Sequence, residues 1–346
     1  PAAFLLPPGV TIYGGFVGTE VSREERNAVV NITILSGDLG ASGVTADNAY
    51  HIVIPANGST LDGFTIQNGN ASENFADDRG RGGALWAEKV NFTVSNCIFT
   101  SNFANERGGA IFLNDANATF TSCTFSSNTN GSTGSGGALD ANNSRLTLSA
   151  CTFTGNTSGA LGGAINGASA ALIFADSNFT SNVSQLEGGA INGTNASLVL
   201  TNCSFTSNQN ASFNGGGALN VKGGTLSDIN GTYTGNSCAP GSGGGAIQWA
   251  GTDANFTETS FSENQSPSYR GGAIIATSGN LQFSKCIFSD NTSGARGGAV
   301  RGESAVLSFS ESNFISNQST YNGGAIDANN SRLTLSACTF TGNTSG

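Results

Sequence analysis

Gly82-Gly83-Ala84-Leu85, answered by Phe99-Thr100-Ser101-Asn102, is the stretch whose reading decides the fold. The same phrase returns down the chain, ending with Gly323-Gly324-Ala325-Ile326 and Phe340-Thr341-Gly342-Asn343. The Gly-Gly pairs start at 82, 108, 136, 162, 188, 216, 244, 271, 297 and 323, a period of 26 to 28 residues. Self-similarity at such a period marks a stacked solenoid, in which one repeat is one supersecondary unit.

Aligning the ten units shows where the length varies. The residue after Ala precedes the next apolar position by seven: Leu139 to Leu146, Ile165 to Leu172, Ile326 to Leu333. Calling that apolar position h, the pattern h, h+2, h+5, h+7 is equally regular. It reads Leu146, Leu148, Cys151, Phe153 in one unit and Leu198, Leu200, Cys203, Phe205 in another. Insertions fall between the Asn and the next Gly-Gly: six positions from Asn102 to Gly108, eight from Asn128 to Gly136.

That spacing specifies a geometry. A step of two keeps side chains on one face of a strand, and the step of three between h+2 and h+5 marks a corner. Each unit is read as three short strands whose inward residues are Ile111/Leu113, Ala118/Phe120 and Cys123/Phe125 in one example. Between them stand polar residues such as Asp140, Asn166, Asn220 and Gln248, expected to face outward. One coil cannot bury its inward face alone, so coils stack strand over strand about 4.8 Å apart. The fold is an all-β parallel β-helix. A helical repeat is excluded, because a period of two would scatter apolar residues around a helix.

The residue types fit their places. Gly-Gly turns a crowded corner, where positive φ and the lack of a Cβ both matter. The inward aromatics Phe99, Phe125, Phe153, Phe179, Phe205, Phe261, Phe288, Phe314 and Phe340 are expected to stack in a column. Tyr233 takes the place in one coil, beside Asp228 and Gly231, and that coil is expected to be the weakest packed and locally distorted. Asn102, Asn128, Asn156, Asn182, Asn208, Asn236, Asn264, Asn291, Asn317 and Asn343 share position h+10. Their amides both donate and accept, so a ladder of identical side chains is the expected role.

Residues 1–80 read as irregular first coils, continuous with the ten regular coils of 81–346. Val10–Tyr13, Asn31–Leu35, His51–Ile54 and Leu61–Ile66 are short alternating or β-branched runs ended by Gly, Asn or Pro. Ser22–Arg26 is expected to form a turn at most. The absence of Met and of a visible signal peptide at Pro1–Leu6 suggests a processed chain or a piece of a longer one. The uncapped edge at Gly346 suggests continuation or head-to-tail docking.

The tandem Gly-Gly-Ala-(Ile/Leu/Val) and Phe-x-x-Asn motifs of residues 82–346 resemble those of the chlamydial polymorphic outer-membrane proteins. The resemblance implies an autotransporter-passenger type of right-handed β-helix acting as a surface adhesin, within a broader class of secreted β-helix surface proteins. Pro8-Gly9-Val10-Thr11-Ile12-Tyr13-Gly14-Gly15-Phe16 and Leu61-Asp62-Gly63-Phe64-Thr65-Ile66 are similar to the start of secreted proteins of pectate-lyase-like type.

Composition bounds the function. A net charge of −10 argues against nucleic acid and anionic lipid as partners. No run of eighteen apolar residues exists, so no transmembrane helix is expected. Asn-x-Ser/Thr triplets at Asn31, Asn57, Asn70, Asn91, Asn117, Asn130, Asn142, Asn195, Asn210, Asn230, Asn255 and Asn329 read as N-glycan acceptors and suggest an extracellular or cell-surface protein. Ladder sequons such as Asn182-Val183-Ser184 are expected to be buried and unmodified.

Catalytic signals are sparse. Asp77-Asp78-Arg79-Gly80-Arg81 is the nearest approach to the carboxylates and base of a polysaccharide enzyme, and it reads as a solvated loop. The lone His51 has no partner motif. Cys97, Cys123, Cys151, Cys203, Cys286 and Cys338 occupy h+5, a place for small residues, and read as buried thiols; Cys238 is expected to be exposed. Flanking Thr pairs such as Thr152/Thr154 are ordinary strand residues. No catalytic, cofactor or metal site is expected.

Asp140–Gly159 recurs without change as Asp327–Gly346, an offset of 187 residues or seven coils. Duplication of whole blocks lengthens a rod and does nothing for a catalytic cleft. The leading expectation is a non-enzymatic structural glycoprotein, a rod-like block of a surface fibre, appendage or coat, partnered by itself or sister subunits head to tail or laterally. The alternatives are a cell-surface adhesin and a polysaccharide-active enzyme.

Overall fold

The computed structural model describes residues 3–73, 78–211, 215–239, 241, 243–268 and 270–346. They form a right-handed parallel β-helix of about 11 turns. The coil that begins at Gly108 shows the plan. It runs through strands Ile111–Asn114, Asn117–Thr121 and Thr124–Ser126, then a two-residue strand, Thr129–Asn130. The three expected strands are there, and the fourth follows the ladder Asn.

Like strands of successive coils pair in parallel and build four sheets. Among the described residues three have twelve strands and the fourth has eleven. The register is in phase throughout: Phe99 opposes Phe125 and Phe125 opposes Phe153, while Ile111 stands between Leu85 and Leu139. Strands Phe4–Leu5, Thr11–Tyr13 and Thr33–Ser36 open the first three sheets. Among the described residues helix is confined to single 3-10 turns, Arg23–Glu25, Thr45–Asp47 and Asp78–Gly80. One apolar core runs along the axis from Leu6 to Ala325.

Corners are made by single left-handed residues. In the Gly108 coil these are Asp115 (φ 49°), Ser122 (φ 51°) and Ser127 (φ 54°). Such angles are uncommon outside Gly, Asn and Asp, yet here they recur in coil after coil. Both glycines of the repeat are explained by geometry. Gly108 has φ 59°. Its neighbour Gly109 lies so close to the next coil that a Cβ would meet the Gly137 carbonyl oxygen at 2.1 Å.

Two expectations about packing need correction. Asp140, Asn166 and Asn220 stand on the outward face of the first sheet but are buried, as is Asn192 between them, while Gln248 is half-buried. Residues just before some Gly-Gly pairs reach that face: Arg107 lies 3.9 Å from Asp140 and Glu187 accepts from Asn220 at 3.0 Å, and these segments bridge to one another as in Arg81–Arg107–Ser135 and Leu161–Glu187. The coil of Asp228 and Tyr233 is also undistorted. Tyr233 stacks on Phe205 at 4.8 Å and on Phe261 at 4.9 Å, in unbroken register. Its hydroxyl donates to Asp228 Oδ2 at 2.7 Å, and Oδ1 of the same buried carboxyl has no hydrogen-bond partner.

Candidate functional site

The most continuous constructions in the molecule are axial. At position h+10, each Asn amide joins three coils. Asn156 Nδ2 donates to Phe125 O in the preceding coil at 2.9 Å and to Asn182 Oδ1 in the following coil at 2.9 Å. Asn156 Oδ1 accepts from the backbone N and the Nδ2 of Asn128, both at 3.0 Å. The same bonds link Asn102 to Asn128, Asn182 to Asn208, Asn208 to Asn236, Asn236 to Asn264, Asn264 to Asn291, Asn291 to Asn317 and Asn317 to Asn343. At the start of the series, Asn102 Oδ1 accepts from Gly69 N at 3.0 Å. Buried amides with all donors and acceptors used are costly to disturb.

Beside this ladder runs the aromatic column. From Phe99 to Phe340, with Tyr233 in line, the rings lie 4.4 to 4.9 Å apart and within 11° of parallel. A second short column, Phe256, Phe283 and Phe309, meets the first edge-on. Burial of one such ring stabilises by roughly 1.5–3 kcal/mol.

A third axial feature was not legible in the repeat phrase. On the outward face of the first sheet, Asn166 Nδ2 donates to Asp140 Oδ2 at 2.9 Å, Asn192 to Asn166 at 2.8 Å and Asn220 to Asn192 at 2.7 Å. Asp140 is pushed up to about 6, chiefly by burial, with the Arg107 and Arg81 guanidiniums opposing. Farther along, buried Arg301 pairs with Glu303 at 3.3 Å and with Asp327. The signal was present: a polar residue directly after the apolar residue of the phrase, in Leu139-Asp140, Ile165-Asn166, Ile191-Asn192 and Leu219-Asn220.

A right handed beta helix region model matches residues 50–228, just over half of the 346 residues. The chain belongs to the right-handed beta helix family. No curated protein and no solved structure matches it.

Within this β-helix the expected acceptor asparagines separate into groups. Asn57, Asn91, Asn117, Asn195, Asn230, Asn255 and Asn329 are exposed; Asn31, Asn70, Asn130 and Asn142 are half-buried. Asn210 must be corrected. It is buried, and its Nδ2 donates to Leu186 O at 2.5 Å, so the atom that a glycan would occupy faces the protein. Asn182 and Asn291 of the ladder are buried too.

The charged loop before the first regular coil is tied down. Arg81 Nε donates to Glu106 Oε2 at 3.0 Å and its Nη1 lies 3.3 Å from Asp78 Oδ1. Asp77 lies outside the described residues. His51 stacks on Trp86 at 6.2 Å, with Nδ1 3.0 Å from Gly82 O. Cys238 is buried, not exposed; its Sγ contacts Gly243 O at 3.3 Å, and burial pushes the thiol up. A cleft of about 600 Å³ lies in the entry coils, with Tyr13, Arg23, Arg26, Asp62 and Asn96 among its lining residues. There Arg26 pairs with Asp62 at 2.7 Å and packs over Tyr13 at 5.0 Å, so its charge is already engaged. Among the described residues no helix is long and apolar enough to cross a membrane.

Proposed function

We propose that this β-helix is a non-enzymatic structural element of the cell surface or extracellular space, a rod in a fibre, appendage or coat. One observation carries the reading: the Asn ladder and the aromatic column run unbroken through all ten regular coils. Every regular coil uses its inward side chains to hold its neighbours, which supports axial stiffness rather than a reaction centre. The unchanged recurrence of Asp140–Gly159 as Asp327–Gly346 supports the same reading, because block duplication adds length. The partners are then copies or sister subunits, and the exposed sequons carry glycans.

Electron microscopy of native material tests this. Filaments or layers are expected whose rods show an axial repeat of about 4.8 Å per coil. A dispersed monomer that turns over polysaccharide would overturn the proposal.

A surface adhesin is the second reading, favoured by one observation. The only interval of varying length in the regular repeat lies between the Asn and the next Gly-Gly, as in Phe103–Arg107 and Thr129–Ser135. Sequence freedom along one edge of a rigid rod suits partner recognition. Swapping the 129–135 segment for that of 103–107 should then abolish ligand capture and leave the melting temperature nearly unchanged.

A further inference from the structure

The core of the β-helix contains one coil unlike the rest. At h+2 the column holds Phe120, Leu148, Phe174, Leu200, then Asp228, then Phe256, Phe283 and Phe309. Asp228 is as buried as its apolar counterparts. Three substitutions in that coil belong together. Gly231 replaces the usual h+5 side chain, and the Asp228 carboxyl fills the vacated space: a Cβ on Gly231 would meet Asp228 Oδ1 at 2.4 Å. Tyr233 replaces Phe and brings a hydroxyl to Oδ2 at 2.7 Å. Oδ1 has no hydrogen-bond partner.

A buried carboxylate with a single donor is poorly solvated, whereas the neutral acid in the same place is tolerable. We propose that the coil of residues 219–239 is a pH-sensitive joint in the rod, stacked while Asp228 keeps its proton and loosened when the carboxyl releases that proton to water. The groups facing Asp228 do not offset the charge. Tyr233 shares its coil, Cys203 lies in the coil before, and Cys286 lies farther along the axis; Phe256 and Thr259 of the following coil do not ionise. Burial raises the tyrosine and both thiols, so all three remain neutral, and among the described residues no cation acts on Asp228.

The same burial pushes Asp228 up to about 7, against the lowering effect of the Tyr233 hydrogen bond. The sign follows. Below about pH 4 both the stacked and the opened coil are protonated, and the group has no effect on opening. Between about 4 and 7 only the stacked coil holds the proton, so opening becomes easier as pH rises, by up to about tenfold per pH unit. Above 7 both forms are ionised and the effect levels off.

Hydrogen exchange on the full chain tests the joint, with wild type compared to Asp228→Asn at pH 5, 6, 7 and 8 so that intrinsic exchange cancels. The wild-type to variant rate ratio for peptides within 219–239 should climb with pH and level near 7, while peptides within 139–159 stay near unity. A second reference is Asp228→Phe/Gly231→Ser/Tyr233→Phe, which reproduces the side chains of Phe174/Ser177/Phe179. It should exchange without the climb even where the Asn variant fails to fold. A ratio that stays flat across the series against either reference overturns the proposal.

Discussion

The molecule contains the same twenty residues twice, as Asp140–Gly159 and Asp327–Gly346. The two copies adopt one conformation. Both form strands of five, three and two residues, and the corner Ala has φ 52° in each. Their burial differs completely. Phe153 is 0% exposed and Phe340 47%; Leu148 is 1% exposed and Leu335 44%. Within residues 1–346 the first copy has a coil on each side, and the second has one on one side only. Local sequence therefore sets the path of a coil, and the neighbouring coils supply most of its stability, as expected for a one-dimensional stack.

The largest test of that contrast is the aromatic column. Phe153→Ala opens a cavity between two stacked rings and should destabilise by about 3–5 kcal/mol. Phe340→Ala, on a ring stacked on one side only, should cost less than about 1.5 kcal/mol. Calorimetry of the two variants reads the difference, and equal losses would break the comparison.

Next comes the ladder. Asn156→Ala leaves Phe125 O and the two donors of Asn128 short of a partner in a dry interior, for an expected loss of about 2–4 kcal/mol. Asn343→Ala affects half-buried groups and should cost about 1 kcal/mol in urea denaturation.

The outward strip offers a pH test. Asp140, raised to about 6 first by burial, binds a proton in the folded state that the unfolded chain has already lost. Its contribution therefore favours folding at pH 4 and fades by pH 6. Asp140→Asn should remove about 2–3 kcal/mol of that fall, read as the difference between wild-type and variant stability at the two pH values.

The smallest effect sharpens the local half of the comparison. Ala150 and Ala337 hold the same left-handed corner, which glycine adopts without a Cβ clash. Ala→Gly should stabilise each by up to about 1 kcal/mol. The two gains should match in thermal melts despite the difference in burial, because corner strain depends on φ alone.

Much of this was readable in advance where the physics is local. The spacing h, h+2, h+5, h+7 predicts which of Leu146, Leu148, Cys151 and Phe153 face inward, since strand side chains alternate whatever lies nearby. The fourth strand escaped notice because two residues are too short to show alternation. Asp140, Asn166 and Asn220 were placed on the outward face because polarity ordinarily marks it, but their burial there, with Asn192 in the same strip, was not readable from polarity. Cys238 was misread for a similar reason: its Ser/Gly/Pro-rich surroundings suggest an open loop, yet the thiol is buried against Gly243.

Sequence alone determined the coil, its period, the residues that face the axis and the alignment of Phe on Phe and Asn on Asn. These follow from the pleat of a strand and from repetition, which puts identical residues in register once coils stack. Tertiary structure decided what lies over the outward face of the first sheet, which sequons are accessible, and how an acid and a tyrosine share the core at Asp228. Those outcomes depend on segments that meet only after stacking, where burial and available partners, not residue type, set the energy.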